Sequence, residues 1–465
     1  MKIAELQSKM IICSCSFSET GALCEEKLFP CYPEITWISK RYGYVTDGCQ
    51  PLRIQTMPDI KDFIAEAFRK RLPILFIGAT GIAVRLIAEH VKDKFIDSPV
   101  LVMDVKRKFV IPLLSGHVGG ANELAELIAE RTGAVPVITT GTDVEGKFAI
   151  DVFAKRNGFS ILNRDVVKHV AGDILGGHRS CIWVHPDVEF VKPPVTLEYA
   201  VETGDTVPDY ADVVVLSDAD LVRDEGDGCG GSGDVRDEGD GCGGSYGCGG
   251  NEGRGECNIR GASVNYGGCN IRGVSEGPSL SDGYINDVKN LQKLKNLFIE
   301  DPEKSPVVLV PKTYCIGIGC KRGKTFDEIS AFLEENLSDE VRENMCAIAS
   351  IDIKKHEIGL MEIAQYHHIP FMTYTADELA AVPGEFSESE FVREKTGVSN
   401  VCERAAVKCA GGGNTDCAGE GGVLICKKIA KDGMTVAVAK RKPKIVTWKT
   451  DSKEFLKDFQ LCAIK

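Results

Sequence analysis

Residues 72–91 read LPILFIGATGIAVRLIAEHV, and the pattern of this stretch indicates the fold class. Its first part, LPILFIG, is an apolar run that ends at Gly78, which is typical of a strand buried on both faces. Its second part places Ile82, Leu86 and Ile87 on one face of a helix. A strand, a glycine-rich loop and a helix in direct succession are the repeating unit of a parallel sheet.

The same alternation continues along the chain. SPVLVMD (98–104) and VPVITT (135–140) are further apolar runs of strand length, and ANELAELIAERTG (121–133) between them has the periodicity of a helix. Gly133 is a suitable C-terminal cap for that helix. We therefore predict an α/β N-terminal domain whose parallel sheet is covered by helices on both faces.

A second α/β domain is predicted near the C-terminus. TYCIGIGC (313–320) reads as a strand, and Thr325 and Glu328 after it form the capping box of a helix. Two strand-like runs flank Asp432–Gly433, a typical hairpin turn. The chain is thus expected to be a multidomain α/β protein.

A stretch rich in glycine, aspartate, serine and cysteine separates the two domains. It contains the repeats VRDEGDGCGGSGD (222–234) and VRDEGDGCGGSYG (235–247), and its few apolar residues cannot offset the entropy of ordering. We predict a disordered insertion there. The predicted segments are an N-terminal α/β domain (1–143), a central domain (144–222), the insertion (223–281), a connector (282–311), a C-terminal α/β domain (312–443) and a tail (444–465).

Composition excludes several classes of protein. The net charge of −13 is unfavourable for binding nucleic acid or an anionic membrane surface. No apolar run reaches the roughly 18–20 residues that span a bilayer, and there is no secretory signal pattern, so we expect a cytoplasmic protein. The 19 cysteines are an odd number and fit reduced thiols. Their spacings match no zinc ribbon, including those of Cys402, Cys409, Cys417 and Cys426, and we expect no metal site.

Four glycine-rich polar loops follow predicted strands, and ligands of open α/β sheets bind beyond the carboxyl ends of strands. Glycines allow close backbone approach, and a helix N-terminus attracts anions. The candidate residues are Gly78, Thr80, Gly81 and Arg85 in the first loop, Ser115, Gly116, His117, Gly119, Gly120 and Asn122 in the second, Asp143 in the third, and Gly317, Gly319, Lys321 and Arg322 in the fourth. Tight turns, helix caps and a solvated charge run are the plainer explanations, and they remain open.

The motifs resemble the CbiG family. In the first half they are IGATGIAVR (77–85), VMDVKRKFVIPLLSGHVGGANELAELIA (102–129) and VPVITTGTD (135–143). In the second half they are IGIGCKRGKTFDEI (316–329), SIDIKKHEIGLMEIA (350–364), GVSNVCERAA (397–406) and GGVLICKKIAKDGMTVAVAKR (421–441). The last domain also looks like the stand-alone CobE proteins. The insertion at 223–281 and the cysteine-rich start depart from the family pattern.

The resemblance implies a hydrolase of the anaerobic cobalamin pathway that acts on cobalt-precorrin-5A. Such an enzyme opens the lactone between the ring-A acetate and C-20 and releases acetaldehyde. The substrate is a polycarboxylate macrocycle that brings its own cobalt, so we expect no cofactor. A homodimer and transient contact with neighbouring pathway enzymes are the protein partners that the resemblance leaves open.

Roles for individual residues follow from that chemistry. Lactone opening needs an acid or base, and His117 in its glycine-rich loop is our first choice, ahead of Asp143 and Glu403. Backbone N–H groups of the first two loops would stabilise an oxyanion or anchor carboxylates. Lys321, Arg322 and Arg404 would hold peripheral carboxylates.

Two other functions fit parts of the sequence. A non-catalytic protein that binds or delivers a tetrapyrrole intermediate is the first, and the CobE-like domain favours it. A nucleotide-binding or sugar-phosphate-binding enzyme that uses the Gly78–Gly81 turn is the second, but the lysine of a P-loop and the acidic residue of a dinucleotide fingerprint are missing.

Overall fold

The computed structural model describes residues 10–41, 53–54, 59–196, 198–204, 206–208, 210–217, 305–411 and 422–450. The predicted insertion (223–281) and the first part of the predicted connector therefore lie outside the described residues. The strands are β1 (Ile11–Ser16), β2 (Thr36–Arg41), β3 (Arg53–Ile54), β4 (Ile74–Ile77), β5 (Val100–Met103), β6 (Phe109–Leu114), β7 (Val135–Pro136), β8 (Phe159–Ile161), β9 (Ser180–Val184), β10 (Glu189–Phe190), β11 (Tyr199–Thr203), β12 (Val213–Val215), β13 (Val307–Pro311), β14 (Tyr314–Cys320), β15 (Met345–Ile351), β16 (Phe371–Tyr374), β17 (Val423–Lys431), β18 (Met434–Lys440) and β19 (Lys444–Ile445).

Most of the helices lie between successive strands in the chain. They are α1 (Glu19–Leu28), α2 (Ile60–Arg69), α3 (Thr80–Ile87), α4 (Ala121–Thr132), α5 (Gly141–Glu145), α6 (Ile150–Asn157), α7 (Val167–Leu175), α8 (Phe326–Asn336), α9 (Asp339–Glu343), α10 (Ile358–Tyr366), α11 (Ala376–Ala380), α12 (Glu390–Thr396) and α13 (Cys402–Ala410). Among the residues described, no helix combines the length and apolarity needed to cross a membrane.

The N-terminal sheet has the strand order β3-β2-β1-β4-β5-β6-β7. The prediction of a mainly parallel α/β sheet is confirmed, because β1, β2, β4 and β5 pair in parallel. However, β6 runs antiparallel to β5, with Leu114 opposite Val100. The carboxyl end of β6 therefore lies at the edge of the sheet where β4 and β5 begin.

The helices of this domain follow the predicted pattern with one shift. Helix α4 ends, as predicted, before Gly133 in the left-handed conformation. In α3 the buried residues are Ala83 and Ile87, whereas Ile82 is 37% exposed. The predicted apolar face of α3 was therefore wrong at Ile82, because the helix begins at Thr80 and turns that side chain to the surface.

The central domain contains a sheet of order β11-β9-β12-β13-β8. Strand β13 was predicted to be part of the connector, but it completes this sheet between β12 and β8. Asn163 holds β13 in place: its side chain accepts a hydrogen bond from Val308 N and donates one to Pro306 O at a buried position.

The predicted tail also packs on the central domain. Trp448 stacks on Phe153 with ring centroids 5.2 Å apart, and β19 pairs with β10. The chain therefore returns to the central domain after it has formed the C-terminal sheet.

The C-terminal domain is the predicted second α/β unit, with strand order β16-β15-β14-β18-β17. Strands β17 and β18 form the predicted hairpin, and Asp432 and Gly433 at its turn both have positive φ. The capping box of Thr325 and Glu328 is confirmed at the start of α8.

Helix α10 of this domain contacts the first strand of the N-terminal sheet. The Gln365 amide bonds both Ile11 N and Ile11 O, at 2.9 and 3.0 Å. Nearby, Lys70 pairs with Glu362 at 2.9 Å. Because these groups are buried or half-buried, the contacts orient the two domains more strongly than surface pairs would.

The packing of α13 on β14 depends on a glycine. A Cβ atom at Gly317 would lie 1.8 Å from the carbonyl oxygen of Cys402. We expect Gly317→Ala to destabilise the protein by about 3 kcal/mol, because the obstacle is backbone that cannot rotate away. Thermal unfolding followed by circular dichroism measures the change in Tm.

Gly172→Ala is the matched control, since a Cβ there meets nothing within 4 Å inside α7. We expect this substitution to leave Tm unchanged or to raise it, because alanine favours a helix by up to about 1 kcal/mol over glycine. Equal effects of the two substitutions would contradict the packing argument.

Candidate functional site

The loop after β6 folds tightly on itself. Ser115 has a φ of 55° and Gly120 a φ of 89°. A Cβ at Gly119 would lie 2.6 Å from Ser115 O, and one at Gly116 would lie 2.7 Å from Asn122 Oδ1. Only glycine fits at these two positions, so the glycines of this loop shape the backbone that presents His117.

His117 lies between two carboxylates. Its Nε2 is 2.9 Å from Asp143 Oδ2, and its Nδ1 is 3.5 Å from Asp151 Oδ1. Thr142 Oγ1 is 3.1 Å from the same Nε2. The structure thus brings the predicted His117 and Asp143 together, from the loop after β6 and from α5.

Asp151 is the member of this cluster that sequence reasoning missed. It lies in the first turn of α6 and is buried. The available signal was a carboxylate inside an otherwise apolar run, FAIDVFA (148–154), where a buried charge needs a partner. Nothing in the local sequence identifies that partner as His117.

Asn122 positions Asp143. Its Nδ2 donates to Asp143 Oδ2 at 2.6 Å and to Thr140 Oγ1 at 2.8 Å. The alternative role of Asn122 as a helix cap is not observed, since the N-cap of α4 is Gly120. Asn122 is buried and both hydrogen bonds of its amide nitrogen are made within the cluster, so it holds the Asp143 carboxylate in place.

The carboxylates determine the charge of His117. Burial opposes the imidazolium, but the hydrogen bonds and charges of Asp143 and Asp151 outweigh it and raise the pKa of His117 to about 9. Burial also disfavours the charged form of Asp151, yet His117 lowers the pKa of that carboxyl overall. At neutral pH His117 is therefore a cation.

The Gly78–Gly81 loop lies at the other edge of the sheet. It follows β4, whereas the His117 loop lies beside the start of β4 and β5. The four residues of β4, at about 3.3 Å each, separate the two edges by at least about 10 Å. The two loops therefore lie at opposite edges of the sheet, because β6 runs antiparallel to β5.

Two predicted donors in these loops are already used. Gly78 N donates to Met103 O, and Gly120 N donates to His117 O, each at 3.0 Å. Arg85 Nη1 donates to Gly81 O in its own helix, whose first turn also contains Thr80. The first loop therefore contributes no side chain to the His117 cluster.

In the C-terminal domain, the predicted glycine-rich loop is partly a strand. Gly317 and Gly319 lie inside β14, where a Cβ at Gly319 would be 2.6 Å from Thr435 Oγ1. Both glycines thus serve packing. Lys321 and Arg322 are exposed in the turn that follows, and Lys321 N donates to Gly433 O.

Glu403 and Arg404 have internal partners. Glu403 is fully buried and accepts hydrogen bonds from Ser387, Asn400 and Lys428 N. Burial favours its neutral form, but these donors lower the pKa of Glu403. Its lone pairs are occupied by the loops that it holds together.

The Arg404 guanidinium binds the end of a helix. Its Nη1 donates to the carbonyl oxygens of Leu379, Ala380 and Val382, at 3.1–3.3 Å. These carbonyl groups lie at the end of α11 and just beyond it, where a helix can no longer supply a full set of N–H donors. Through Nη1, Arg404 therefore has a structural role, and its binding of substrate carboxylates stays a prediction.

Comparison with known proteins places the chain in a family. The family model Cobalamin synthesis G N-terminal matches residues 62–143, and Cobalamin synthesis G C-terminus matches residues 314–439. The cobalt-precorrin-5A hydrolase of Salmonella typhimurium is 30% identical over 351 residues, which are 73% of this chain and 77% of that protein. The chain belongs to the cobalamin synthesis G (CbiG) family.

Further relatives agree with this CbiG assignment. The cobalt-precorrin-5A hydrolase of Priestia megaterium is 27% identical over 365 residues, which are 76% of this chain and 76% of that protein. Together the CbiG relatives support a hydrolase that functions in cobalamin biosynthesis.

Two solved structures are also similar. A cobalamin biosynthesis protein G homologue from Sulfolobus solfataricus covers 94% of this chain and 99% of its own, with 20% identity and a TM-score of 0.33. CobE, a protein of the cobalamin pathway, covers 28% of this chain and 91% of its own, with 30% identity and a TM-score of 0.25. Both TM-scores are low, so these superpositions carry no structural argument.

The raised pKa of His117 predicts a pH-dependent contribution to stability. A histidine whose pKa is higher in the folded protein stabilises it fully below its unfolded pKa of about 6.5, and this stabilisation is lost as the pH rises through about 9. The difference corresponds to on the order of 3 kcal/mol. We expect His117→Gln to lower Tm more at about pH 6 than at about pH 9.5.

His178→Gln is the control, because His178 is 77% exposed and lies 3.8 Å from Asp173. Its effect on Tm is expected to be small at both pH values. A loss of Tm in His117→Gln that is the same at both pH values would contradict the charged state assigned to His117.

Proposed function

We propose that this chain hydrolyses cobalt-precorrin-5A, opens the lactone formed by the ring-A acetate and C-20, and releases acetaldehyde to leave cobalt-precorrin-5B. Membership of the CbiG family and the names of the relatives support this activity. The observation that carries the chemistry is a histidinium held between Asp143 and Asp151 in a glycine-rich loop. Lactone opening requires such a proton donor.

The His117 imidazolium acts as the acid in the first step. As water adds to the lactone carbonyl and releases its protons to the solvent, the bond between the acyl carbon and the ring oxygen breaks, and that oxygen takes the proton of His117. The Nδ1 atom suits this transfer, because its contact with Asp151 is long at 3.5 Å while Nε2 is anchored to Asp143 at 2.9 Å. The step leaves a free acetate and a hydroxyl group on C-20.

The same residue, now neutral, is the base of the second step. It accepts the proton of the C-20 hydroxyl as the carbonyl of acetaldehyde forms and the carbon–carbon bond to the macrocycle breaks. The electron pair of that bond passes into the conjugated, cobalt-bound ring, which is later protonated. Water is the only co-reactant, and the cobalt belongs to the substrate.

An anaerobic assay of acetaldehyde release from cobalt-precorrin-5A tests this function. Wild-type protein is expected to release acetaldehyde, and His117→Gln to lose at least about a hundredfold in kcat, because acid and base contributions of this kind are typically worth 10²–10⁴. His178→Gln, an exposed histidine beside Asp173, is the matched control and should retain wild-type activity. Unchanged turnover in His117→Gln would remove His117 from the mechanism.

The substitution Asp151→Asn distinguishes the contribution of Asp151 from that of Asp143. Loss of this charge lowers the pKa of His117, so the alkaline limb of the kcat profile is expected to move toward lower pH while binding of the substrate is retained. If wild-type protein binds cobalt-precorrin-5A without releasing acetaldehyde, the chain is a binding or delivery protein and the catalytic proposal fails.

A further inference from the structure

Cations from all three domains converge where the chain passes from the central to the C-terminal domain. Arg71 lies between α2 and β4, Lys312 lies between β13 and β14, and Arg441 follows β18. We call these three residues the cationic junction. Lys312 N donates to Gly158 O, and Arg441 N donates to Thr313 O, so the backbone brings the last two together.

The space around Gly158 is filled by Arg441. A Cβ at Gly158 would lie 2.5 Å from Arg441 Nη2. Gly158 ends α6 with a φ of 70°, a conformation that also favours glycine. Helix α6 therefore ends in a residue that leaves room for a guanidinium.

Arg71 reaches the junction from the N-terminal domain. Its guanidinium lies 4.5 Å from the centre of the Tyr366 ring and donates to Tyr366 O at 3.3 Å. Both Arg71 and His368 have a φ of 53°, which is unfavourable for residues other than glycine.

The cations of the junction face cysteine thiols. Burial disfavours the charged form of Arg441, but Cys346, Cys315 and Cys409 beside it raise its pKa overall. Burial lowers the pKa of Lys312, and the charges of Arg164 and Arg71 lower it further. Burial and the neighbouring cations also lower the pKa of His367 to about 4. In a chain with a net charge of −13, such a concentration of positive charge is unusual.

The cationic junction also has a buried polar atom beside it that lacks a hydrogen-bond partner among the described residues. The Nε2 atom of His368 is buried, and no group of the described part of the chain bonds it. Burial lowers the pKa of His368 to about 3, and the positive charges of Lys155, Arg71 and Lys312 add to this effect. A buried nitrogen without a partner is costly unless a ligand or water binds it.

Helix α6 links the junction to the His117 cluster. Asp151, which contacts His117, and Lys155 are four residues apart and share one face of α6. Lys155 Nζ would lie 3.1 Å from a Cβ at Gly120, so it covers the same glycine-rich loop. Its pairing with Glu123 is loose at 3.9 Å, because Glu123 is bound by Arg156 at 2.8 Å.

We propose that the cationic junction binds carboxylate groups of the anionic substrate while the His117 cluster acts on its lactone. This inference rests on the proposed function for the identity of the substrate. The three domains must then be assembled before the substrate can bind. The carboxylate anchors are Arg71, Lys312 and Arg441 rather than the exposed Lys321 and Arg322.

The test uses uroporphyrin I, a tetrapyrrole with a carboxylate on every side chain, and the full-length protein. Binding is followed by quenching of porphyrin fluorescence at several salt concentrations. We expect Lys312→Met and Arg441→Met each to weaken binding about tenfold or more and to reduce its salt dependence, because each removes one charge-assisted contact. Millimolar inorganic phosphate should not displace the porphyrin.

Lys431→Met is the matched control, since Lys431 is half-exposed and pairs with Glu335 on the surface. It should bind like the wild type. Lys312→Met removes a charge that burial disfavours, so the Tm of this variant should not fall. If the Tm of Lys312→Met does fall, Arg441→Met still provides an independent test. Wild-type affinity in both junction variants, no binding by wild-type protein, or displacement by phosphate would each overturn the inference.

Failure of the cationic junction to bind carboxylates can be distinguished from failure of the proposed hydrolase activity. In the acetaldehyde assay Lys312→Met is expected to raise KM about tenfold and to leave kcat close to wild type, whereas His117→Gln lowers kcat. If wild-type protein releases no acetaldehyde, the proposed function fails, and the porphyrin measurement still decides whether the junction binds carboxylates.

Discussion

The hydrogen bond from His117 Nε2 to Asp143 Oδ2 joins the loop after β6 to α5, the helix that follows the neighbouring strand β7. Each partner is largely buried, and neither charge would be stable there without the other. Asn122 completes the arrangement, since it donates to the same carboxylate oxygen. The geometry of the whole candidate site depends on this contact, because it determines where the imidazole ring lies and keeps it charged.

The direction of one strand decides which loops take part. Because β6 runs against β5, the His117 loop lies at the edge where most strands of the sheet begin. That edge faces α6 and the central domain, which supply Asp151 and Lys155. The Gly78–Gly81 loop has the more familiar position beyond a parallel strand, yet it is remote from these groups.

The C-terminal domain uses its glycines and charges chiefly for packing. Gly317 lets α13 approach β14, Glu403 joins two loops to β17, and the Arg404 guanidinium binds carbonyl oxygens at the end of α11. This domain also carries Arg441 and the histidines that follow α10, which belong to the proposed cationic junction. Strand β13 connects the two domains, because it lies in the central sheet and leads directly into β14 of the C-terminal sheet.

The sequence alone determined the α/β class, the two main domains, the hairpin at Asp432–Gly433 and the pairing of the Thr325 capping box, since these depend on local periodicity and on neighbours within a few residues. It also identified His117 and Asp143 as chemically suitable groups. Only the tertiary structure decided that they touch, that Asp151 joins them, and that Arg71, Lys312 and Arg441 meet. Those contacts link residues up to hundreds of positions apart, and they follow from strand direction and domain packing, which no local pattern of residues encodes.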